Sequence, residues 1–535
     1  MTRWQRYWFA DGGRWAVAIV RIALALSVLG TLAKLSHPLS TGDLPGAHTL
    51  YRPVGIWMLL GHAAPPEALV DLLWVIAWGA TGMMLVGCCS RAATAASCFA
   101  GTALAALSFA SSTTWSHQYN VVFLAQVAFL GARCGDALSV DALIRRWRAL
   151  PPRDVARGYQ WSLRLVQLAV ALMFSGAVFH KLLHGHFTLR WALTDNLRHH
   201  LLVRFDLAGL PRPPLVDWII DDVWRYRTAA ILNMISQAAP IAACIFVTRP
   251  WIRALGGLFF VVETIALGLV VGLWNLHWLP LVAVFVDWER LLRRPVAPPA
   301  PAGWRPPRAR RIFIVAFVAY DALTAFAPGL DQWLNTYPFS GFPMFATIRA
   351  NPPYDEHQPY AIAADHFVAD VAIPDNVQRW LDHANRGIET TTDPVKLQKR
   401  LVAVLGQVQR RYPDAHLHGL TLWLTLFEAP AYPAPAHFEP HPIAVLAEIR
   451  DDGTYRSVLG TLADGQATLA RRGVEGQEVQ LAYYRDDAPA PIPLQATREG
   501  DRFAIGELEG NPIYVVATIA GTPWLVATAK HWVWN

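Results

Sequence analysis

Charge is scarce in this chain: only 16% of its 535 residues are Asp, Glu, Lys or Arg, against roughly 25% in an ordinary soluble protein. The shortage lies before about residue 330, where long apolar runs dominate, and this excludes a single soluble domain. The length allows two to four domains; the hydropathy shift supports two, a membrane domain and a soluble tail. Cysteine is also sparse. The five cysteines are Cys88, Cys89, Cys98, Cys134 and Cys244, with no C-x-x-C spacing and none in the tail. That excludes a disulfide framework and leaves them as small buried apolar residues. There is no internal repeat, no G-x-G-x-x-G and no P-loop. The missing inverted repeat argues against a transporter in which Glu263 and Asp321 relay protons. The net charge is +6, but the arginines fall in loops between apolar runs. That is a topology signal, and it argues against nucleic acid as a partner.

What the chain has instead is apolar length. A membrane span needs about 20 mostly apolar residues, and about nine stretches qualify: 15–34, 66–88, 92–110, 119–135, 160–183, 229–247, 254–272, 273–288 and 312–328. The first is too long for a signal peptide core and reads as a retained span. The fourth and eighth are short. The seventh and eighth are joined only by Trp274 to His277, which implies a tight hairpin or a re-entrant piece. With nine spans, Arg3, Arg6, Arg14, Arg91, the cluster Arg145 to Arg157, Arg249, Arg253 and the cluster Arg290 to Arg311 all fall on one side. The opposite short loops, Ser111 to Gln118 and Trp274 to His277, carry no Lys or Arg. By the excess of Lys and Arg in cytoplasmic loops, the N-terminus (1–14) is cytoplasmic in a cytoplasmic (inner) membrane. The expected fold is a polytopic α-helical membrane bundle, 15–328, with a cytoplasmic Pro/Arg-rich loop at 295–311. An extracytoplasmic α+β domain follows at 329–535. The polar loop 184–228 is expected to pack over the outer mouth of the bundle.

In the tail, Asp393-Pro394 opens a helix with an N-cap and a proline at the first helical position. Leu397, Leu401, Val404, Leu405 and Val408 form its apolar face. Strands follow at Thr421 to Phe427, Ile443 to Ile449, Val479 to Tyr484, Phe503 to Ile505, Ile513 to Ile519 and Pro523 to Ala529. Asp451-Asp452-Gly453 marks a turn. This pattern predicts helices followed by a small β sandwich or sheet. Trp532-Val533-Trp534 could pack on that sheet or touch the membrane interface.

Ionisable side chains within spans cost about 2.5–3.5 kcal/mol at the centre and usually face the bundle interior. Arg21, Arg164, Glu263 and Asp321 are such residues. Glu263 lies mid-span and needs a proton or a cation; a structural partner such as Arg21 or Arg164 and a catalytic role are both open. Arg164 could snorkel at the cytoplasmic end. Gln167, Phe174, Ser175, Val178 and Lys181 recur at helical spacing on one face of the fifth span. Lys181 lies at its outer end, where it is either an anchor in the headgroups or a chemical tool. His117 and Asn120 flank the outer start of span four, and His180, His184 and His186 surround Lys181. No cluster completes His184-x-His186, so no metal is expected.

Several runs resemble the vitamin K-dependent gamma-glutamyl carboxylase and the wider HTTM (horizontally transferred transmembrane) domain family. They are Arg21 to Leu26, Gly79 to Gly87, His117-Gln118-Tyr119, Ser139 to Leu143, Phe174-Ser175-Gly176 with Lys181-Leu182, and Tyr337 to Phe345. The likeness covers roughly residues 15–345 by order and spacing. It implies a reduced, vitamin K-like quinone as cofactor and Lys181 as the base that deprotonates it, with His117 and His180 as further catalytic residues and Gln167, Phe174, Ser175 and Val178 binding the quinone. In that chemistry the quinolate reacts with oxygen and becomes a base strong enough to take a glutamate γ-proton, and the carbanion takes up carbon dioxide. The partners implied are the lipid bilayer and a protein or peptide substrate at the outer face. Two positions depart from the family. Asp136 stands where the carboxylase has a histidine, and Val262-Glu263-Thr264 replaces its span-seven histidine region. The tail is also shorter. These departures weigh against glutamate carboxylation, while the retained lysine keeps quinone chemistry open. The alternative is a non-catalytic membrane protein that binds a lipid or quinone, or docks a partner through its outer domain.

Overall fold

A computed structural model describes residues 2–35, 53–61, 64–111, 117–150, 155–207, 210–293, 299–301, 303–327, 336–340, 345–349, 360–374, 377–378, 381, 394–463, 466–470, 473–485, 488–500, 502–505 and 512–528. After a short helix α1 (Arg3–Trp8) come α2 (Arg14–Leu35), α3 (Glu67–Val86), α4 (Ser90–Ser111) and α5 (Asn120–Phe129). Next are α6 (Val140–Trp147), α7 (Gln160–His184), α8 (Arg190–Leu193), α9 (Asn196–Phe205) and α10 (Pro214–Ile220). The series ends with α11 (Val223–Ile245), α12 (Pro250–Val271), α13 (Trp288–Leu292) and α14 (Arg308–Phe326). Among the described residues six helices, α2, α3, α4, α7, α11 and α12, are long and apolar enough to cross a membrane.

The other three expected spans take different forms. The 10 residues of α5 rise about 15 Å, half of a hydrocarbon core about 30 Å thick. The stretch 273–288 holds a 3-10 helix, Leu276–Phe285, interrupted by Pro280. It is reached from α12 through Gly272 at φ +71°, a left-handed conformation that glycine adopts without strain. The 19 residues of α14 begin with Arg308, Arg310 and Arg311 and bury Asp321.

α7 is the most enclosed of the six long helices, and its two ends define the two ends of the bundle. Near Gln160, the Gly12 amide donates to the Ala156 carbonyl (3.0 Å), Arg157 pairs with Asp11 (3.5 Å) and Arg253 with Asp287 (3.8 Å). This is the arginine end. At the far end, Lys34 Nζ donates to the Trp274 carbonyl (3.0 Å), and His277 Nε2 and Trp278 Nε1 both meet the Gln118 carbonyl.

Two of the motifs behind the resemblance have structural work here. Asp141 accepts from the amides of Cys89 (2.9 Å) and Ser90 (2.8 Å) at the start of α4, so a carboxylate caps that helix from another segment. Arg21, fully buried, donates to the carbonyls of Cys134, Ala137 and Leu138 and holds the turn before α6. Gly87 gives it room: a Cβ there would stand 2.5 Å from Arg21 Nη1. Asp136 accepts from the Tyr159 hydroxyl at 2.7 Å.

Among the described residues the tail contains one long helix, α15 (Pro394–Arg411), and twelve strands. The main sheet runs β1-β2-β3-β12-β11-β7-β8, with β4 on β3. These strands are β1 (Tyr360–Ala369), β2 (Gly419–Ala429), β3 (Glu439–Arg450), β4 (Tyr455–Arg456), β7 (Val479–Arg485), β8 (Ala488–Pro493), β11 (Pro512–Ile519) and β12 (Thr522–Thr528). A second, four-stranded sheet is built from β5 (Thr461–Ala463), β6 (Gln466–Thr468), β9 (Ala496–Glu499) and β10 (Arg502–Ile505). All five residues of the expected α15 face are buried, against Leu420, Leu422 and Ile449 of the main sheet. Along β11 the side chains alternate: Tyr514 and Val516 join the α15 core, while Val515, Ala517 and Ile519 join Phe503 and Ala467 of the small sheet. The tail is therefore a sheet with a helix on one face and a smaller sheet on the other. Asp393 and Trp532 to Trp534 lie outside the described residues.

Strand β1 has no counterpart in the sequence reading, because Asp365 interrupts its apolar run. That side chain is buried in the sheet, and burial pushes its carboxyl up to about 7. A raised folded-state value means the contribution to stability is fully present below the unfolded value near 4 and is lost as pH rises through about 7. The full span is roughly 4 kcal/mol. Thermal unfolding of the full chain in detergent between pH 5 and pH 8.5 should show this loss, and Asp365→Asn should flatten the curve. An unchanged slope in that variant would remove Asp365 as the cause.

Candidate functional site

Lys181 is 1% exposed. Its Nζ donates to Asn233 Oδ1 (2.5 Å) and Gln237 Oε1 (2.8 Å). The same two amides turn their nitrogens to a carboxylate. Asn233 Nδ2 and Gln237 Nε2 donate to Glu263 Oε1 at 2.7 and 2.8 Å, and Ser236 Oγ donates to Oε2 at 2.6 Å. Lysine and glutamate are thus joined through two parallel amide bridges, each with its oxygen toward the amine and its nitrogen toward the acid. The bonds at both ends fix the amide orientation. A carboxylate accepting three hydrogen bonds and an amine donating two form a compensated buried pair.

The helices explain the arrangement. Asn233, Ser236 and Gln237 stand at i, i+3 and i+4 on α11 and so share a face. Pro240, one turn on, lacks the amide that would bond the Ser236 carbonyl. Glu263 sits mid-α12, and Lys181 is in the last turn of α7.

On its other side Lys181 Nζ lies 4.1 Å from the centre of the Trp191 ring, a cation–π distance. Trp191 is held by Nε1 donating to the Phe345 carbonyl at 2.7 Å. His200, also buried, bonds through Nε2 to the Thr347 carbonyl (2.9 Å), while Nδ1 accepts from Arg349 Nε (3.2 Å). That partnership selects the neutral Nε2–H tautomer, and burial holds the imidazole well below its ordinary value. His199 bonds the Arg349 carbonyl, and burial pushes it down to about 4. Residues 345–349 are in this way stitched along α9. Arg198 continues the seam, donating to the carbonyls of Pro430 (3.0 Å) and Ala434 (3.1 Å). Leu201, Phe205 and Ile220 pack with Ala429 and Ala436 of the tail. The loop 184–228 covers this end of the bundle, as its apolar residues suggested.

These groups line a cavity of about 290 Å³. Its polar wall is Lys181, Asn233, Ser236, Gln237, Glu263 and His200; the rest is apolar. Leu232 and Val262 on its rim are 59% and 48% exposed, so the cavity reaches the outer surface of the bundle between α11 and α12. No family model, no curated protein and no solved structure matches this chain.

Of the residues named from sequence, Lys181 and Glu263 meet at the cavity. Glu263 finds Lys181 as its cation, not Arg21 or Arg164: Arg21 serves the 134–138 carbonyls, and Arg164 lies at the arginine end. Phe174 packs on Phe260 and Trp278 (5.6 and 6.0 Å between ring centres). Val178 packs with Trp191, while Gln167 is buried lower on α7 and Ser175 half-buried. His180 is buried beside Phe179. Asn120 donates to the Pro338 carbonyl (3.2 Å), and Asp321 is buried in α14. None of these lines the cavity. His117 is in the 3-10 turn before α5, and its side chain lies outside the described residues. The sequence reading missed Asn233, Ser236, Gln237, Trp191 and His200. The polar triplet on an otherwise apolar span was the available signal.

Proposed function

We propose that this is a nine-span membrane protein whose Lys181 cavity takes a lipid-soluble quinol and removes its hydroxyl proton, in a reaction of the carboxylase type. The observation that carries the reading is a buried lysine, backed through two amides by a buried glutamate, on the wall of an apolar cavity that opens toward lipid. The fit is reasonable for a ring headgroup. The volume is close to the lower end of small-molecule sites, roughly 300–1,000 Å³, and an isoprenoid tail would leave between Leu232 and Val262. A bound quinol would supply, with oxygen, the strong base that the carboxylase resemblance implies.

The side chains do the following. Asn233 and Gln237 hold Nζ with two hydrogen bonds. A neutral amine has two N–H groups, so its lone pair is left to take a hydroxyl proton from the cavity side. The ammonium so formed has a third N–H facing Trp191. The reacting form is amine–carboxylate, with one net negative charge; the quinol proton converts it into the neutral ammonium–carboxylate pair, whose positive charge Glu263 compensates through the amides. Trp191, Leu197 and Leu201 keep water out. His200, neutral, adds no competing positive charge.

The arginine end is assigned to the cytoplasm and the tail to the outside, by the Lys/Arg bias of the loops. External protease acting on spheroplasts, with the outer membrane opened and the inner one sealed, should reach the tail; a fully protected tail would reverse the assignment.

The test uses membranes carrying wild type or Lys181→Ala, with reduced quinone, oxygen and labelled bicarbonate. Quinone epoxide is read by mass spectrometry. Wild type should form epoxide, and Lys181→Ala should lower it by about 10²–10⁴-fold, the usual contribution of a positioned base. Equal epoxide from both would overturn the role of Lys181. Label appearing in protein would extend the reading to carboxylation.

A second reading is favoured by the three hydrogen bonds that Glu263 accepts, which suit a permanent carboxylate and a permanent ammonium. Such a site would bind a quinone or an anionic lipid without turnover. Saturable quinone binding by wild type, with no epoxide, would select it.

A further inference from the structure

α6 (Val140–Trp147) is closed at both ends. Ser139 caps its start, its hydroxyl accepting from the Ala142 amide at 2.9 Å. At its end the Leu150 amide donates to the Arg145 carbonyl (3.0 Å) and the Ala149 amide to the Arg146 carbonyl (3.1 Å), with Ala149 at φ +49°. That is a Schellman motif. The first turn is pinned to the bundle: the Asp141 amide donates to the Gly87 carbonyl (3.0 Å), and its carboxylate accepts from the Cys89 and Ser90 amides. The helix is thus a defined element rather than a fraying turn. Yet it has only 8 residues and buries none of its side chains, whereas isolated helices shorter than roughly 12–15 residues are marginal in water.

Its sequence shows what it lacks. Val140, Leu143, Ile144 and Trp147 stand at i, i+3, i+4 and i+7, a single apolar stripe about 100° wide. All four are exposed, Leu143 to 68% and Trp147 to 87%. Leu138 before the helix and Leu150 after it are exposed as well. Cations border the stripe: Arg146 and Arg148 are exposed and Arg145 half-buried. The one acid, Asp141, is engaged by the amides of α4. The helix hangs from the α3–α4 turn, where Gly87 lies against Arg21 in the first half of α2. α2 starts at the arginine end, so α6 lies beside helices of membrane-spanning length at the level where they meet headgroups. A second copy of the chain is a poor occupant for the stripe, because two α6 helices face to face would bring together three arginines from each.

We propose that α6 lies in the plane of the membrane surface, with its apolar stripe at the headgroup–acyl boundary and its arginines on anionic phospholipids of the leaflet at the arginine end. Amphipathic helices with a basic polar side bury their apolar face about 5–10 Å into that boundary and favour anionic lipid. Tryptophan is enriched at the same level, and a guanidinium matches a phosphate with paired hydrogen bonds. The bonds of Asp141 then tie the leaflet to the first turn of α4. This surface is separate from the Lys181 cavity and shares no residue with it.

The experiment is hydrogen exchange, read by mass spectrometry, on the full-length protein at one copy per nanodisc. One set of discs holds phosphatidylcholine alone; the other holds an equal mixture with phosphatidylglycerol of the same acyl chains. Amides 143–150 should exchange about thirtyfold more slowly in the mixed discs, because two exposed arginines contribute roughly fivefold each near an anionic surface. Arg146→Gln with Arg148→Gln should abolish the difference. Leu143→Ser with Trp147→Ser should speed exchange in both kinds of disc. These are surface side chains, and unchanged exchange in the interior of α4 verifies that each variant keeps its fold. Equal exchange of wild type in the two kinds of disc would overturn the proposal, as would a difference that survives in the arginine variant. Slow exchange only in discs that hold two copies would also overturn it, in favour of an interface between copies.

Discussion

Replacing Glu263 by Leu should destabilise the protein by about 3–5 kcal/mol, the range for removing one partner of a buried ion pair. Three donors, Asn233 Nδ2, Gln237 Nε2 and Ser236 Oγ, lose their acceptor, and the Lys181 ammonium loses its counter-charge. Lys181→Met should fall in the same range, because it leaves the carboxylate uncompensated. The informative protein is the double variant Lys181→Met with Glu263→Leu. With both charges gone, the main penalty of each single change is absent. Its loss should therefore be well below the sum of the two. Each variant's unfolding in detergent, followed by tryptophan fluorescence, supplies the cycle, and a coupling within about 0.5 kcal/mol of zero would mean that the amide bridges transmit nothing. The amides matter to the magnitude. They lengthen the charge separation while offering each ion a polar partner, so part of the compensation survives when one end is removed.

Arg21→Met should be the most damaging single change at a site with no catalytic part. The carbonyls of Cys134, Ala137 and Leu138 all accept from this one side chain in a buried setting. A buried acceptor left without a donor costs about 1–3 kcal/mol, and three together approach the whole stability of a typical protein, about 5–15 kcal/mol. The turn before α6 leads into its N-cap Ser139 and first-turn Asp141, and Asp141 caps α4. Loss of Arg21 should therefore loosen α4 as well. Arg21→Met should accumulate in membranes far below wild type and be cut by protease within the 130–140 turn, and Arg21→Lys should recover part of the loss. Wild-type levels and protection for Arg21→Met would refute the account.

Much of the architecture could be read from the sequence because membrane helices announce themselves by length. The six long helices lie where the apolar runs lie, and the α15 face was visible in Leu397, Leu401, Val404, Leu405 and Val408. Two kinds of feature were hidden. One is local geometry that composition does not carry. Residues 119–135 are apolar enough for a span but hold a helix of only 10 residues, and 273–288 becomes a 3-10 helix around Pro280. The other is pairing at a distance. Lys181 and Glu263 each stood out as a charge in an apolar setting, yet nothing in a linear reading brings positions 82 residues apart together. The polar triplet on α11 links them, and its residues are uncharged, so they were passed over. Strand β1 was masked by Asp365, a charge-type residue buried in a sheet. The run Ser139-Val140-Asp141, one of those behind the family resemblance, makes the contacts of a helix cap.

The stitching of residues 345–349 along α9 has a consequence for the order in which the protein is made. The wall of the Lys181 cavity is drawn from α7, α8, α9, α11, α12 and finally Phe345. At synthesis rates of roughly 5–20 residues per second, Glu263 emerges about 4–16 seconds after Lys181, and Phe345 later still. The lysine must therefore enter the membrane before its counter-ion exists, and its place in the last turn of α7 lets the ammonium reach water during that interval. A ribosome still short of Phe345 carries an unfinished chamber, so the cavity wall is complete only after residue 345 has been made.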